Sequence, residues 1–493
     1  MDQYHTEGED EVLPEMPVSP TGQYFNSSML SISILAVLES EIPIDDSLTL
    51  TLLKDVFLPI NPRFSSIMVG DKKGVKKWKR VEVKLEDHIN VPSFPTGMSA
   101  EFYDECFNDY MTKISLERFP LNKPLWEIHI IKYPTSNAAG HVIFKLHHAL
   151  GDGFSLMGAL LSCLQRADNP SLPLTFPSRQ SSSKMDGKNK GIFRCLGRVF
   201  SRVANTVSDF GSTLIKSSFT RDGLSPIRSG GDGVEFRPSV ITTVTFSLDH
   251  IKQIKAKLGV TINDVIVGVV FLGTRLYMQT SSTSSSSHDD EEQPQLGNAN
   301  ATALVVLNTR AIGGYKTIGE MVKPNSQMPW GNQFTFLHVT IPKLKHSEND
   351  DQTNSNPIRF VKKVHRMIKR KRNSAAVYLT GRMLEILRKF RGPEAAAQYI
   401  YNTLNSSSIA MSNLIGPVEQ MALANHPVKG LYFTLVGGPE SLAITIMSYV
   451  GKLRITIRTE KGFIDPPKLN SCIENAFNMI FKAAVDNTPP SNT

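Results

Sequence analysis

The stretch His147-His148-Ala149-Leu150-Gly151-Asp152-Gly153 stands at a sharp change in sequence pattern. Before it, apolar residues alternate with other residues in two runs. The first run has Trp126, Ile128 and Ile130, and the second has Val142, Phe144 and Leu146. Such alternation, with a turn-rich connector between the runs, predicts an antiparallel β-hairpin. The dense apolar run 154–164 after it predicts a buried helix. The two histidines are therefore expected on a strand-to-helix turn.

A histidine held on such a turn is suited to general-base chemistry, because its side chain titrates near neutral pH and can deprotonate an attacking hydroxyl. Gly151 and Gly153 are expected to let the chain turn sharply. Asp152, four residues after His148, is expected to fix the turn by accepting backbone or arginine hydrogen bonds. A single histidine at a strand end is usually structural, and Asp-Gly is an ordinary turn signal. The combination of strand, double histidine, Asp-Gly and apolar helix is rarer and favours the catalytic interpretation.

The composition describes a globular chain of 493 residues, long enough for two or three domains, with 40% hydrophobic and 20% charged residues. Its net charge of +8 permits a nucleic acid, an acidic membrane surface or a phosphorylated cofactor as partner. Without a nucleic-acid-reading motif, no nucleic-acid partner is expected.

The four cysteines are scattered, so neither a disulfide framework nor a metal site is expected. No secretory signal and no uninterrupted run of about 18 apolar residues is recognised.

Three polar stretches suggest the domain organisation. Residues 1–14 are expected to be disordered, 15–170 to form an N-terminal lobe, 171–235 a linker, and 236–488 a C-terminal lobe with a disordered loop at 281–300. In the second half, strands are predicted at Val240–Phe246, Ala303–Asn308, Phe334–Ile341, Leu431–Val436, Leu442–Ser448 and Leu453–Arg458. Helices are predicted at Leu248–Leu258, Ile262–Met278, Ile358–Lys371, Arg382–Phe390 and Leu469–Val485. This mixed order indicates an α+β protein with two lobes.

Residues 147–153 match the H-H-x-x-x-D-G signature of the CoA-dependent acyltransferase superfamily, which includes condensation domains of peptide synthetases. Further segments resemble motifs of the wax ester synthase/diacylglycerol acyltransferase family: Pro124–Glu127, Thr261–Val265, Gly331–Gln333 and Ser412–Pro417. Pro17–Pro20 and the chain length resemble its plant branch. The resemblance spans about residues 15–485.

The resemblance implies a two-lobed fold like that of chloramphenicol acetyltransferase, with a tunnel between the lobes. It implies that acyl-CoA and a long-chain alcohol or diacylglycerol are substrates, with no cofactor and no covalent acyl-enzyme. His148 would be the base that deprotonates the hydroxyl. His147 and Asp152 would hold the catalytic loop, and Gly153 would lie beside the substrate.

The segment Thr261–Val265 has two interpretations. Thr261 and Asp264 have the spacing of a capping box that starts a helix. Asn263 is alternatively a substrate-binding residue whose amide stabilises the developing oxyanion. Asn413–Pro417 is expected to form a turn.

The implied substrates are insoluble, so a membrane surface is an expected partner. Residues 192–216 have apolar residues at helical spacing with an arginine row, which fits an interfacial helix or a helix packed on a lobe. Residues 359–372 carry nine basic side chains, counting His365, and form either a solvated face or a site for CoA phosphates or lipid head groups. The expected location is the cytoplasmic face of the endoplasmic reticulum, with the plasma membrane as the alternative.

Two other functions remain open on the sequence. Acyltransferases of soluble secondary-metabolite alcohols carry Asp-Phe-Gly-Trp-Gly near the C-terminus, whereas this chain has Asp209-Phe210-Gly211-Ser212 in mid-chain. A non-catalytic lipid-binding protein of the same fold is the other alternative.

Overall fold

The structure, a computed structural model, describes residues 16–71, 74–175, 220–283, 296–310, 329–344, 356–374 and 376–486, with a few single positions between 206 and 215 and at 321. The strands are β1 Met16–Pro17, β2 Ser33–Ser40, β3 Ser66–Gly70, β4 Lys76–Arg80, β5 Ile89–Asn90, β6 Trp126–Ile131, β7 Gly140–His147, β8 Leu164–Arg166, β9 Ser239–Ser247, β10 Thr302–Asn308, β11 Phe334–Thr340, β12 Ile409–Ile415, β13 Met421–Leu423, β14 His426–Val436, β15 Leu442–Tyr449 and β16 Lys452–Glu460. The α-helices are α1 Pro20–Tyr24, α2 Thr49–Leu52, α3 Leu58–Ile60, α4 Ala100–Leu116, α5 Gly153–Ser162, α6 Leu248–Leu258, α7 Ile262–Thr283, α8 Pro357–Arg372, α9 Ala376–Arg391, α10 Pro393–Asn405 and α11 Pro466–Phe481.

The predicted hairpin is confirmed as β6 and β7, which pair antiparallel near the centre of a seven-stranded sheet ordered β5-β6-β7-β2-β14-β13-β8. The register aligns the two predicted apolar runs, pairing Trp126 with Leu146, Ile128 with Phe144 and Ile130 with Val142. Trp126 is fully buried, and its indole N–H donates to the Phe64 carbonyl oxygen at 2.8 Å. The predicted helix after the double histidine is α5, which packs on the same apolar face of the sheet.

A second, six-stranded sheet is ordered β11-β10-β12-β15-β16-β9 and carries a helical layer of α6, α7, α8 and α11. Within this layer α7 is the central helix. Two of its glycines permit close approach: a Cβ at Gly268 would lie 2.9 Å from Val361 in α8, and one at Gly273 would lie 2.7 Å from Ile473 in α11. All the strands and helices predicted from residue 236 onward are present. However, β14 begins five residues and α9 six residues earlier than predicted, α7 ends five residues later, and β12, β13 and α10 were not predicted.

The C-terminal half crosses back into the first sheet. Strand β14 pairs along the whole of β2, and β13 pairs with β8, before β15 returns to the second sheet. The Tyr449 hydroxyl of β15 donates to the Val428 carbonyl oxygen of β14 at 2.7 Å. The expected division into lobes 15–170 and 236–488 therefore needs correction, since residues 421–436 complete the first sheet.

Two other expectations change. Ser281–Thr283 continue α7 and Leu296–Asn298 form a 3-10 turn, so the expected disordered loop at 281–300 is too long; residues 284–295 lie outside the described residues. The expected turn at 413–417 is wrong for its first three residues, which end β12 in a parallel pairing with β15. Residues 1–14 and most of 192–216 also lie outside the described residues.

Among the residues that the structure describes, no single helix is both long and apolar enough to cross a membrane. Within these same residues, α6 and the adjoining part of α7 are the one pair that reaches this length and composition together, and they are bent by 101°.

Candidate active site

The double histidine lies where β7 ends and α5 begins. His147 is the last residue of β7, and Asp152 caps α5 by accepting the Ser155 backbone N–H at 3.0 Å. His148 is only 7% exposed. Its ring lies between the rings of Phe25 and Phe334, with centroid distances of 4.7 and 5.4 Å. The turn therefore holds His148 in an aromatic, largely dry setting.

Asn332 determines which nitrogen of His148 is free to accept a proton. The Asn332 Nδ2 donates to the His148 carbonyl oxygen at 2.9 Å, and its Oδ1 lies 2.9 Å from His148 Nδ1. A carbonyl oxygen only accepts, so the amide NH2 must face it and the amide oxygen must face the ring. Nδ1 therefore carries the proton, and the free lone pair of the ring lies on Nε2. Burial lowers the pKa of His148 below its usual value, while the Asp152 carboxylate and the Asn332 hydrogen bond oppose this shift.

His147 has a different environment. Its Nδ1 accepts the Ala149 backbone N–H at 3.1 Å, so its Nε2 carries the proton and donates to the Ser31 hydroxyl at 3.2 Å. Burial, with the neighbouring His148 and nearby cations, lowers the pKa of His147 to about 3. Both of its nitrogens hold the loop, which agrees with the supporting role expected for it.

Asp152 joins the two halves of the site through a buried ion pair. Arg310 contacts both carboxylate oxygens of Asp152, at 2.6 and 3.1 Å, and the Gln333 backbone N–H donates to Oδ2 at 2.8 Å. The same guanidinium donates to the Pro329 and Gly331 carbonyl oxygens at 3.0 and 2.7 Å. Asp152 thus accepts both the backbone and the arginine hydrogen bonds expected of it, and Arg310 holds the segment that carries Asn332.

Gly151 and Gly153 allow close packing because they lack a side chain. Neither Gly151 nor Gly153 has a positive φ, so the sharp turn expected there does not depend on a backbone conformation that favours glycine. A Cβ at Gly151 would lie 3.0 Å from the Ser155 Cβ, and one at Gly153 would lie 3.1 Å from Leu414 Cδ1. Gly153 therefore lets α5 begin directly against β12.

Asn263 lies at the start of α7, where the capping-box interpretation is confirmed. The Asp264 Oδ2 accepts the Thr261 N–H at 2.9 Å, and the Thr261 hydroxyl accepts the Asp264 N–H at 3.2 Å. Asn263 Oδ1 accepts a hydrogen bond from Asn413 Nδ2 at 3.1 Å. Its contribution to an oxyanion site stays a prediction, as does the substrate contact of Gly153.

Exchanging Asn332 for aspartate tests the assignment of the base. A carboxylate beside Nδ1–H favours the imidazolium, so we expect Asn332→Asp to raise the pKa of His148 by about 1–3 units. A general base acts as the neutral imidazole, so if His148 has this role the acid limb of the kcat/KM profile should move to higher pH by that amount. Gln333→Glu, the same change on the exposed neighbouring side chain, is the matched control and should leave the limb in place. Superimposable acid limbs for wild type and Asn332→Asp would contradict the assignment.

The sequence is similar to those of known proteins. The chain matches the wax ester synthase/diacylglycerol acyltransferase catalytic-domain model over residues 58–266 and the C-terminal-domain model of the same family over residues 330–481. It is 29% identical to wax ester synthase/diacylglycerol acyltransferase 4 of Arabidopsis thaliana, covering 97% of this chain and 91% of that one. Number 11 from the same plant is 28% identical, covering 96% of both chains.

Solved structures show the same fold. The wax ester synthase/diacylglycerol acyltransferase of Marinobacter aquaeolei VT8 superposes with a TM-score of 0.56 at 14% identity, covering 94% of this chain and 98% of that one. The first condensation domain of the calcium-dependent antibiotic synthetase gives 0.52 at 12% identity, covering 92% of both chains. The fold is thus the two-lobed one shared by condensation domains and chloramphenicol acetyltransferase, and the chain belongs to the wax ester synthase/diacylglycerol acyltransferase family.

Proposed function

We propose that the protein transfers a long-chain acyl group from acyl-CoA to the hydroxyl of a long-chain alcohol, forming a wax ester, and that it also acylates diacylglycerol. The observation that carries this proposal is His148, whose Nδ1 is held by Asn332 so that Nε2 is left as the base. The names of both matching family models and of the Arabidopsis relatives support the same reaction.

The reaction follows from this arrangement. His148 Nε2 takes the hydroxyl proton as the alcohol oxygen attacks the thioester carbonyl carbon. The tetrahedral intermediate then collapses, the C–S bond breaks, and the CoA thiolate leaves with the proton returned from the imidazolium. Because burial lowers the pKa of His148, the ring is neutral and ready to accept a proton at pH 7. The flanking rings of Phe25 and Phe334 reduce access of water, which would otherwise hydrolyse the thioester.

The long-chain substrates suggest where this enzyme works. Fatty alcohols and diacylglycerol partition into bilayers, so we infer a membrane surface as a partner and the cytoplasmic face of the endoplasmic reticulum as the location. Fractionation of cells that express a tagged chain tests this location, and recovery outside the membrane fractions would contradict it.

An acyl-transfer assay tests the function. Purified protein in detergent receives labelled palmitoyl-CoA with hexadecanol, with diacylglycerol or without acceptor, and the lipid products are separated. We expect labelled wax ester or triacylglycerol to exceed the acceptor-free background, and the ratio of the two rates identifies the preferred acceptor. Background signal with both acceptors would overturn the proposal.

A further inference from the structure

Helix α9 has two apolar faces. On its inner face, Leu384 and Leu387 pack against a hydrophobic cluster that includes Ala396 and Ile400 of α10. On its outer face three large apolar side chains are exposed: Leu379 at 41%, Ile386 at 58% and Phe390 at 77%. Single exposed apolar residues are ordinary on a protein surface, but grouped ones indicate a contact surface.

The spacing makes the outer face continuous. At about 100° per residue, positions i, i+7 and i+11 fall within an arc of about 40°. Arg382 and Lys389 are exposed along one edge of this arc. The α9 outer face, defined as Leu379, Arg382, Ile386, Lys389 and Phe390, is therefore an apolar stripe with a basic border, the pattern of a helix lying in a membrane interface.

The charge around this face is strongly positive. Residues 357–391 contain twelve Lys or Arg and one acidic residue, Glu385, a net charge of +11. The whole chain carries +8, so the remainder carries −3. In α8 the apolar residues are buried against the second lobe, among them Val361, Val364 and Ile368. Most of its basic side chains are therefore exposed, whereas Arg370 and Lys371 contact the buried carboxylate of Asp209. An anionic partner is the complement of this region, and the apolar stripe favours lipid over nucleic acid.

The inner face of α9 is connected to the candidate site through its hydrophobic cluster. The cluster under α9 contains Phe25 and is packed by Phe334. These two rings flank His148, with Phe25 at 4.7 Å. One continuous apolar cluster therefore connects the underside of α9 to the base.

We propose that the α9 outer face docks the protein on an anionic bilayer, with its apolar stripe among the lipid chains and the basic side chains of α8 and α9 against the lipid phosphates. Substrates dissolved in the bilayer then reach the protein beside His148. This docking rests on the proposed function, because its purpose would be to bring lipid substrates to the acyltransferase site. Binding to vesicles can nevertheless be measured without any acyl transfer.

Vesicle flotation tests the docking. Full-length protein is mixed with phosphatidylcholine vesicles containing 30% phosphatidylserine, or with pure phosphatidylcholine vesicles. We expect the double variant Ile386→Ser/Phe390→Ser to partition into anionic vesicles at least tenfold less than wild type. Leu121→Ser/Leu224→Ser, which changes residues that are 77% and 63% exposed elsewhere, is the matched control and should bind like wild type.

The charge contribution is tested separately. Arg382→Gln/Lys389→Gln should weaken binding to anionic vesicles by about fivefold for each residue, with a much smaller change on neutral vesicles. Lys452→Gln/Lys461→Gln, two exposed lysines outside the basic region, is the control.

The proposal would be overturned if wild-type protein did not float with anionic vesicles, or if the Ile386→Ser/Phe390→Ser variant floated like wild type. It would also be overturned if wild type were a dimer, the variant a monomer, and neither bound vesicles. The last outcome would assign the face to a second copy of the chain. Failure of the proposed function is distinguishable, because His148→Ala should bind vesicles like wild type whatever its activity. Conversely, Ile386→Ser/Phe390→Ser should turn over a short-chain acyl-CoA and a water-soluble alcohol at the wild-type rate in detergent.

Discussion

Replacing His148 with alanine is expected to lower kcat for acyl transfer by about 10²–10⁴, the usual contribution of a positioned general base. The variant removes Nε2, and a neutral hydroxyl is then the attacking group. The flanking rings of Phe25 and Phe334 carry no group that could accept the proton in its place. The measurement is the initial rate of labelled ester formation at saturating acyl-CoA.

The neighbouring histidine gives a matched control. In His147→Asn the amide oxygen can still accept the Ala149 N–H that His147 Nδ1 accepts at 3.1 Å, so the loss should be far smaller. The two variants should also differ in pH dependence. Wild type and His147→Asn should keep an acid limb below pH 6.5, because burial lowers the pKa of His148. The residual activity of His148→Ala should lack this limb, and equal rates for His148→Ala and wild type would refute the mechanism.

Elements with strong local signals were predictable. The hairpin β6–β7 follows from alternation alone, and its observed register aligns the two predicted apolar runs. The start of α7 follows from a capping box only four residues long, at Thr261–Asp264. In both cases the interactions that form the element lie close together in the sequence.

The hydrogen-bond partners of His148 and Asp152 were not predictable from local sequence patterns. Asn332 lies 184 residues after His148, and Arg310 lies 158 residues after Asp152. Asn332 belongs to a motif recognised by family resemblance, but no periodicity or spacing assigns it to His148. Arg310 carried no signal at all, because one arginine in a basic chain is not distinctive. The insertion of β14 beside β2 depends on pairing between residues about 400 positions apart, which local patterns do not encode.

Breaking the Asp152–Arg310 pair is expected to destabilise the protein by about 3–5 kcal/mol, the cost of leaving one member of a buried ion pair without its partner. The side chains are 7% and 1% exposed, so water compensates little. Arg310→Met and Asp152→Asn should each show this loss in urea unfolding, whereas the double variant should lose clearly less than the sum of the two. Additive losses would contradict a direct interaction.

The Asp152–Arg310 pair should also affect catalysis, because it positions Asn332 and not because it takes part in the reaction. Arg310 holds the carbonyl oxygens of Pro329 and Gly331, so its loss releases the segment that keeps Asn332 against His148. We expect Arg310→Met to lower kcat and Arg310→Lys, which keeps the charge, to restore part of it. Arg458→Met is the control, because Arg458 forms another buried pair, at 3.0 Å with Glu440, outside the site. It should destabilise the fold and leave kcat unchanged; if it lowered kcat as much as Arg310→Met, the effect would belong to stability and not to the position of the base.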